Sequence, residues 1–80
     1  MKSKFSFNSF SVVIPIFNEE AILEESVNNI LSICKRTELN FEIVLSENGS
    51  TDSTLELSKN ISSKHEEISV IHSDIPNYGM

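Results

Sequence analysis

Eighty residues are enough for one small domain and no more, and a domain of this size buries only about 60–65% of the surface its unfolded chain exposes. Hydrophobic residues make up 39% and charged residues 22%, the balance of a packed soluble chain rather than a disordered one. Twelve acidic against six basic residues leave a net charge of -6, which argues against a nucleic-acid surface, and no run approaches the roughly 18 apolar residues of a membrane span.

The first segment, MKSKFSFNSFSVVIPIF, pairs two lysines with apolar residues as a signal peptide does. Asn8 and four serines interrupt it, Pro15 follows, and no small-residue cleavage site appears. Residues 1–9 therefore read as a polar amino-terminal tail, and residues 10–80 as the domain. SFSVVIPIF (Ser9 to Phe17) is a continuous β-branched run that predicts a strand buried on both faces, with Pro15 near its end.

NEEAILEESVNNILSICKR predicts a helix: Leu23, Val27, Ile30, Leu31 and Cys34 recur at steps of three and four and form one apolar stripe. Asn18 suits its N-cap, Glu19 and Glu20 the positive end of its dipole, and Lys35-Arg36 the negative end. Cys34 is the one cysteine and falls on the apolar face, so it reads as a buried core thiol. A lone cysteine forms no internal disulfide, and a reducing, cytoplasmic setting is the expectation.

FEIVLS (Phe41 to Ser46) predicts the second strand. Asn48-Gly49 comes next, and that pair between apolar runs is a strong hairpin signal. A hairpin needs an alternating strand immediately afterwards; the chain instead continues STDSTLELSKNISSKH. Ser50 or Thr51 reads as a helix cap and Asp52 as a first-turn residue, ahead of Leu55, Leu57 and Ile61. Asn48-Gly49 is thus a strand-to-helix turn. ISVIHS (Ile68 to Ser73) predicts a third strand and DIPNYG a loop.

The predicted class is α/β, with strand-helix-strand-helix-strand order, a parallel sheet, right-handed crossovers, and helices on both faces of the sheet to make three layers. Ligands of such sheets bind beyond the carboxyl ends of the strands. PIFNEE, SENGSTD and SDIPNYG all lie there.

Two glycines in the chain are too few for a dinucleotide fingerprint or a phosphate-cradling loop. His65 and His72 are the only histidines, and neither belongs to an evident metal set or a serine-histidine-acid set. SENGSTD is the informative segment. The Glu47 carboxylate suits ribose hydroxyls or a ring N–H, and the Asn48 amide both donates and accepts, as the mixed edge of a base requires. Gly49 allows close approach of a ligand. The competing reading is that these residues only build the turn, just as Asn18 and Glu19-Glu20 can serve only a helix start and Phe17 only the core. The acidic balance also means that a nucleotide's phosphates need a divalent cation or basic groups from elsewhere.

VVIPIFNEE, the helix, EIVLSENGSTDST and ISVIHSDIPNYG together resemble the start of the inverting glycosyltransferase family 2, with its glycosyltransferase A-type, Rossmann-like fold. The resemblance runs from Phe10 to the carboxyl terminus. It implies that Pro15, Ile16 and Phe17 wall one side of a nucleotide base and that Glu19 contacts the nucleoside. Glu47 and Asn48, standing where the family commonly has Asp-Asp, would read base and ribose, with Gly49 between them and the helix. Asn77 and Gly79 would belong to a loop that closes over the nucleotide.

The family's metal-binding Asp-x-Asp, its catalytic base and its acceptor site come later in the fold, and no Asp-x-Asp occurs in these 80 residues. The resemblance therefore implies a truncated, nucleoside-binding half. It carries no catalytic residue and no cofactor of its own, with magnesium or manganese expected in a complete relative. The implied partner is a nucleotide-sugar of the uridine type, transferred with inversion. Without the fold's fourth strand the first strand becomes an edge, from which self-association is expected. The alternatives are a stand-alone, non-catalytic nucleotide-binding or interaction module, and a response-regulator-like domain, which would want an acidic pair at the end of the first strand.

Overall fold

A computed structural model describes residues 9–74. Its elements are β1 (Ser9–Ile16), α1 (Leu23–Arg36), β2 (Asn40–Asn48), α2 (Thr54–Lys64) and β3 (Ile68–Ser73). The three strands are parallel, in the order β1-β2-β3. This is the α/β, Rossmann-like arrangement of parallel strands that the sequence implies. Asn77 and Gly79 lie outside the described residues.

The register is what organises the core. Val12 stands beside Ile43, and Ile43 beside Ile68; Ile14 beside Leu45, and Leu45 beside Val70; Ile16 beside Glu47, and Glu47 beside His72. Because side chains alternate along a strand, these rows share one face. Both crossovers step in the same direction across the sheet, and right-handed crossovers then lay both helices on that same face. Leu23, Val27, Leu31 and Cys34 of α1 and Ile61 of α2 accordingly join Ile16, Ile43, Leu45 and Ile68 in a single buried cluster. Burying a side chain of Val, Leu or Ile size contributes about 1.5–3 kcal/mol.

The opposite face carries no helix among the described residues. Val13 is 61% and Ile71 55% exposed there. Among the described residues the structure thus corrects two expectations: β1 is not buried on both faces, and the layers number two rather than three. The cause lies in β1's own composition. Its outward positions include Val13 and Pro15, apolar residues that hide the period-two alternation visible in its burial. Among the described residues β1 has β2 as its one neighbour and so forms an edge.

Both helices start later than the sequence suggests. Residues 19–22 form a turn in which the Ile22 and Leu23 N–H groups donate to the Glu19 carbonyl, and α1 begins at Leu23. Asn18 lies outside the helix with φ of 50°, and its side chain is occupied elsewhere. Glu24 and Glu25 take the first turn of α1, with Lys35 and Arg36 in its last, the favourable sense for the dipole. α1 closes through Glu38, which has φ of 62°.

α2 begins at Thr54 and turns Thr54, Ser58 and Ile61 inward, while Leu55 and Leu57 are half-buried. A buried hydroxyl is tolerated only when bonded, and Ser58 donates to the Thr54 carbonyl at 2.7 Å.

Candidate functional site

The carboxyl ends of the three strands meet at one edge of the sheet, where the loops after β1 and β2 are laced together. The Asn18 side-chain oxygen accepts the Thr51 N–H at 2.8 Å and lies 3.4 Å from the Asp52 N–H. The Asn18 N–H donates to the Ser50 hydroxyl at 2.9 Å, and the Glu19 N–H to the Thr54 hydroxyl at 2.7 Å. The Glu20 N–H reaches Asp52, and the Glu20 carboxylate accepts the Ser53 N–H at 2.7 Å.

These bonds replace the expected caps. Asn18 spans the two loops instead of capping α1. Asp52 precedes α2 and accepts the Thr54 N–H at 2.9 Å, one of the donors that a helix start leaves unpaired. The Thr54 hydroxyl also donates to Asp52, and this bond, ahead of the opposing partial desolvation and the backbone contacts, holds the Asp52 carboxyl below its usual range.

Glu47 is the deepest ionisable group, 1% exposed at the end of β2. One carboxylate oxygen accepts the Ser50 N–H at 2.5 Å, and the other meets His72 Nδ1 at 2.5 Å. Burial pushes its pKa up, but the Ser50 hydroxyl and N–H and the His72 ring outweigh that and hold it below the ordinary value. His72 Nε2 lies 2.7 Å from the Asp74 carboxylate. Hydrogen bonds to Glu47 and then Asp74 raise the His72 pKa against a smaller opposing effect of burial. A hydrogen-bonded chain therefore runs from Asp74 through His72, Glu47 and Ser50 to Asn18, across the ends of all three strands.

Beside this chain opens a cavity of about 170 Å³, lined by Ser46, Glu47, Asn48, Ile71, His72 and Ser73. Ligand clefts run from roughly 300 Å³ upward, so the cavity admits one ring of a ligand and leaves the remainder outside. A larger hollow, about 390 Å³, lies at the amino end of the strands beside the stacked rings of Phe10 and Phe41. Its one ionisable lining residue, Glu42, is bonded to Ser11. The smaller cavity has the chemistry.

The residues singled out from sequence divide as follows. Glu47 and Asn48 line the cavity and Gly49 adjoins it, with the φ of 65° that the turn requires. The Asn48 amide donates to the Ser46 carbonyl at 3.3 Å. Phe17 and Glu19 are half-buried on the neighbouring loop. Ile16 is 2% exposed within the core, whereas Pro15 is exposed on the uncovered face, so the two point apart. Sequence reading missed His72 as the partner of Glu47, and Asn18, Ser50 and Asp74 as links in the chain. The available signal was positional: a histidine closing one strand beside an acid closing its parallel neighbour.

Among the described residues no three Asp, Glu, His or Cys side chains come together to hold a metal ion. His72 joins two carboxylates, but through opposite edges of its ring, which keeps them apart. No helix among the described residues is long and apolar enough to cross a membrane.

Residues 11–79 match the family described as Glycosyl transferase family 2. The chain is similar to the undecaprenyl-phosphate 4-deoxy-4-formamido-L-arabinose transferase of Proteus mirabilis, 38% identical over 61 residues, which cover 72% of this chain and 19% of that protein. The enzyme of the same description from Pseudomonas paraeruginosa is 47% identical over 47 residues, 59% of this chain and 14% of that protein. An uncharacterized glycosyltransferase of Bacillus subtilis, YkcC, is 29% identical over 48 residues, 60% of this chain and 15% of that protein. The chain thus spans a fifth or less of the length of these relatives.

Proposed function

Because the chain belongs to glycosyl transferase family 2, we propose that it forms the nucleoside-binding half of an enzyme that transfers a sugar from a nucleotide diphosphate to an acceptor with inversion. The observation that carries this reading is the cavity at the carboxyl ends of β2 and β3, with Glu47 and Asn48 in its wall. That is the end of a parallel sheet where ligands bind.

In this reading the Asn48 amide meets the edge of a base, uridine being the first choice, and Phe17 flanks the ring, while Ile16 and Pro15, which point to opposite faces, do not wall it together. Glu19 takes the ribose, and Gly49 keeps the turn clear of a side chain. Glu47 is buried and already engaged by the Ser50 N–H and hydroxyl and by the His72 ring, so it acts on the nucleoside by ordering Ser50 and His72. Asn77 and Gly79 belong to the loop over the nucleotide.

The described residues do not fit a metal site. The magnesium or manganese of a complete relative belongs with the Asp-x-Asp that these 80 residues lack. Relatives described as undecaprenyl-phosphate arabinose transferases favour a lipid phosphate as acceptor and a modified sugar as cargo. A lone buried cysteine fits a reducing, cytoplasmic setting.

Titrating the 80-residue protein with uridine and with UDP, with and without manganese, tests the reading. The expected result is weak uridine binding, indifferent to manganese, with amide shifts at Asn48 and Gly49 and no sugar transfer. Shifts confined to the Phe10–Phe41 end would overturn the site, and turnover of a nucleotide-sugar by this chain alone would overturn the half-site assignment.

A further inference from the structure

We propose that His72 is a positioning residue of this crevice: as an imidazolium spanning Glu47 and Asp74 it holds the Glu47–Ser50 contact in place and makes nucleoside binding depend on a proton. The proposal rests on the nucleoside-binding reading above, but its core is geometric. Each nitrogen of the ring faces a carboxylate oxygen, at 2.5 Å and 2.7 Å. Neutral imidazole has one N–H and one lone pair, and only imidazolium donates from both nitrogens. Loss of the proton therefore sets a lone pair against one of the two carboxylates.

Among the described residues the surroundings leave His72 as the one group able to supply that charge. Glu47 faces it from β2 and Asp74 from the turn after β3. α2, which covers this face, turns inward Thr54, Ser58 and Ile61, none of which titrates near neutrality. Beyond Glu47 the chain passes through neutral Ser50 and Asn18 before it reaches Asp52, itself bonded to Thr54. Among the described residues, the loops at this end contain no Lys or Arg. The His72 side chain is 37% exposed and so exchanges protons with water, while the Glu47 side chain it touches is shut away. The charge state of His72 at the surface is thereby felt by a buried carboxylate, and through it by the Ser50 N–H beside the cavity.

The direction follows from the bonds. With His72 charged, both ring nitrogens donate, and Glu47 is clasped between His72 and Ser50. As pH rises through the His72 pKa, which its two carboxylate partners raise, the clasp opens and affinity falls. The expected loss is on the order of tenfold, the worth of one hydrogen bond to a charged group.

The experiment uses the intact 80-residue protein and uridine as probe, with nitrogen NMR of the His72 ring and the Ser50 amide followed from about pH 5 to pH 9. The expected result is two protonated ring nitrogens at about pH 6. The Ser50 amide should move along the His72 titration curve, uridine affinity should fall with it, and in His72→Gln affinity should be weaker and flat with pH. A bare ring nitrogen at about pH 6, or a Ser50 amide that ignores His72, would overturn the proposal whether or not any nucleoside binds. Uridine binding that is unaffected by pH in the unsubstituted protein would also overturn it, while leaving the nucleoside site standing. Absence of uridine binding at every pH would remove the nucleoside site and the binding half of this proposal, and the ring and amide titrations would still decide the positioning half.

Discussion

Asn18 and Thr51 are 33 residues apart in sequence, yet the side-chain oxygen of one accepts the backbone N–H of the other at 2.8 Å. One amide thus does two jobs. It turns the chain through φ of 50° after β1, a conformation Asn tolerates better than most residues, and it satisfies the approach to α2 from a different loop. Asn18→Asp keeps the oxygen and tolerates the backbone; Asn18→Gly keeps only the backbone freedom; Asn18→Ala keeps neither. The expected order of stability in urea is Asn, Asp, Gly, Ala, with Asn18→Ala costing about 1–3 kcal/mol from the lost acceptor and the left-handed backbone together. Equal stability of the Gly and Ala variants would show that the backbone angle is unimportant.

The Glu47–His72 pair gives stability a dependence on pH whose sign differs on the two flanks. Glu47 is held below its ordinary 4.5, despite burial, by Ser50 and His72, and Asp52 below its ordinary 3.8, chiefly by Thr54. The stability they contribute is present above those ordinary values and is lost as pH falls through the lowered ones. His72 is raised above its ordinary 6.5 by Glu47 and Asp74, so its contribution is complete below 6.5 and is lost as pH rises through the raised value. The melting temperature should peak between about pH 4.5 and pH 6.5 and decline on either side. Glu47→Gln should flatten the alkaline decline, and a melting temperature that climbs steadily from pH 6 to pH 8 would contradict the pairing.

The order of elements is legible in the sequence because Val27, Leu31 and Cys34 keep a helical period while Ile43 and Leu45 keep a strand period, and each period is local. The turn at Asn48-Gly49 is legible for the same reason: residues 50–64 lack a strand's alternation. The single covered face is not legible from β1 itself. Val13 and Pro15 look like core residues in one dimension, and only the pairing order shows that both crossovers run one way. The helix starts fail for a related cause. Asn18 and Ser50 have the chemistry of caps, but they bond each other's loops across the sheet edge, and no window of adjacent residues contains both ends of such a bond; Asp52 reaches Glu20 across the same edge while keeping a local bond to Thr54. Glu47 is visible as a site residue, and its partner His72 becomes visible only once β2 and β3 are placed in register.

Glu38 ends α1 with φ of 62°, a conformation in which its Cβ crowds the backbone. Its N–H donates to the Lys35 carbonyl, a bond that glycine keeps. Glu38→Gly should therefore stabilise the protein by about 0.5–1 kcal/mol in urea, the advantage of removing the Cβ where glycine is the preferred residue. Loss of stability would mean that the Glu38 side chain contributes more than its backbone strain costs.

The uncovered face and the free edge of β1 fall together. Val13 lies beside Val44, Pro15 beside Ser46 and Ser46 beside Ile71, so exposed apolar side chains occupy two adjacent rows of the uncovered face. β1 also carries no charged residue to discourage another strand from pairing. We expect the 80-residue protein to self-associate through β1, its apparent size in size-exclusion chromatography rising with concentration. Val13→Lys should restore a concentration-independent monomer. Because Val13 is 61% exposed, the substitution should change stability by less than about 0.5 kcal/mol, as surface changes usually do. The same charge at a buried neighbour would unfold the chain, so a melting transition that survives Val13→Lys separates loss of association from loss of fold. If the unsubstituted protein is already monomeric with a sharp transition at micromolar concentration, the exposed edge is not a docking template.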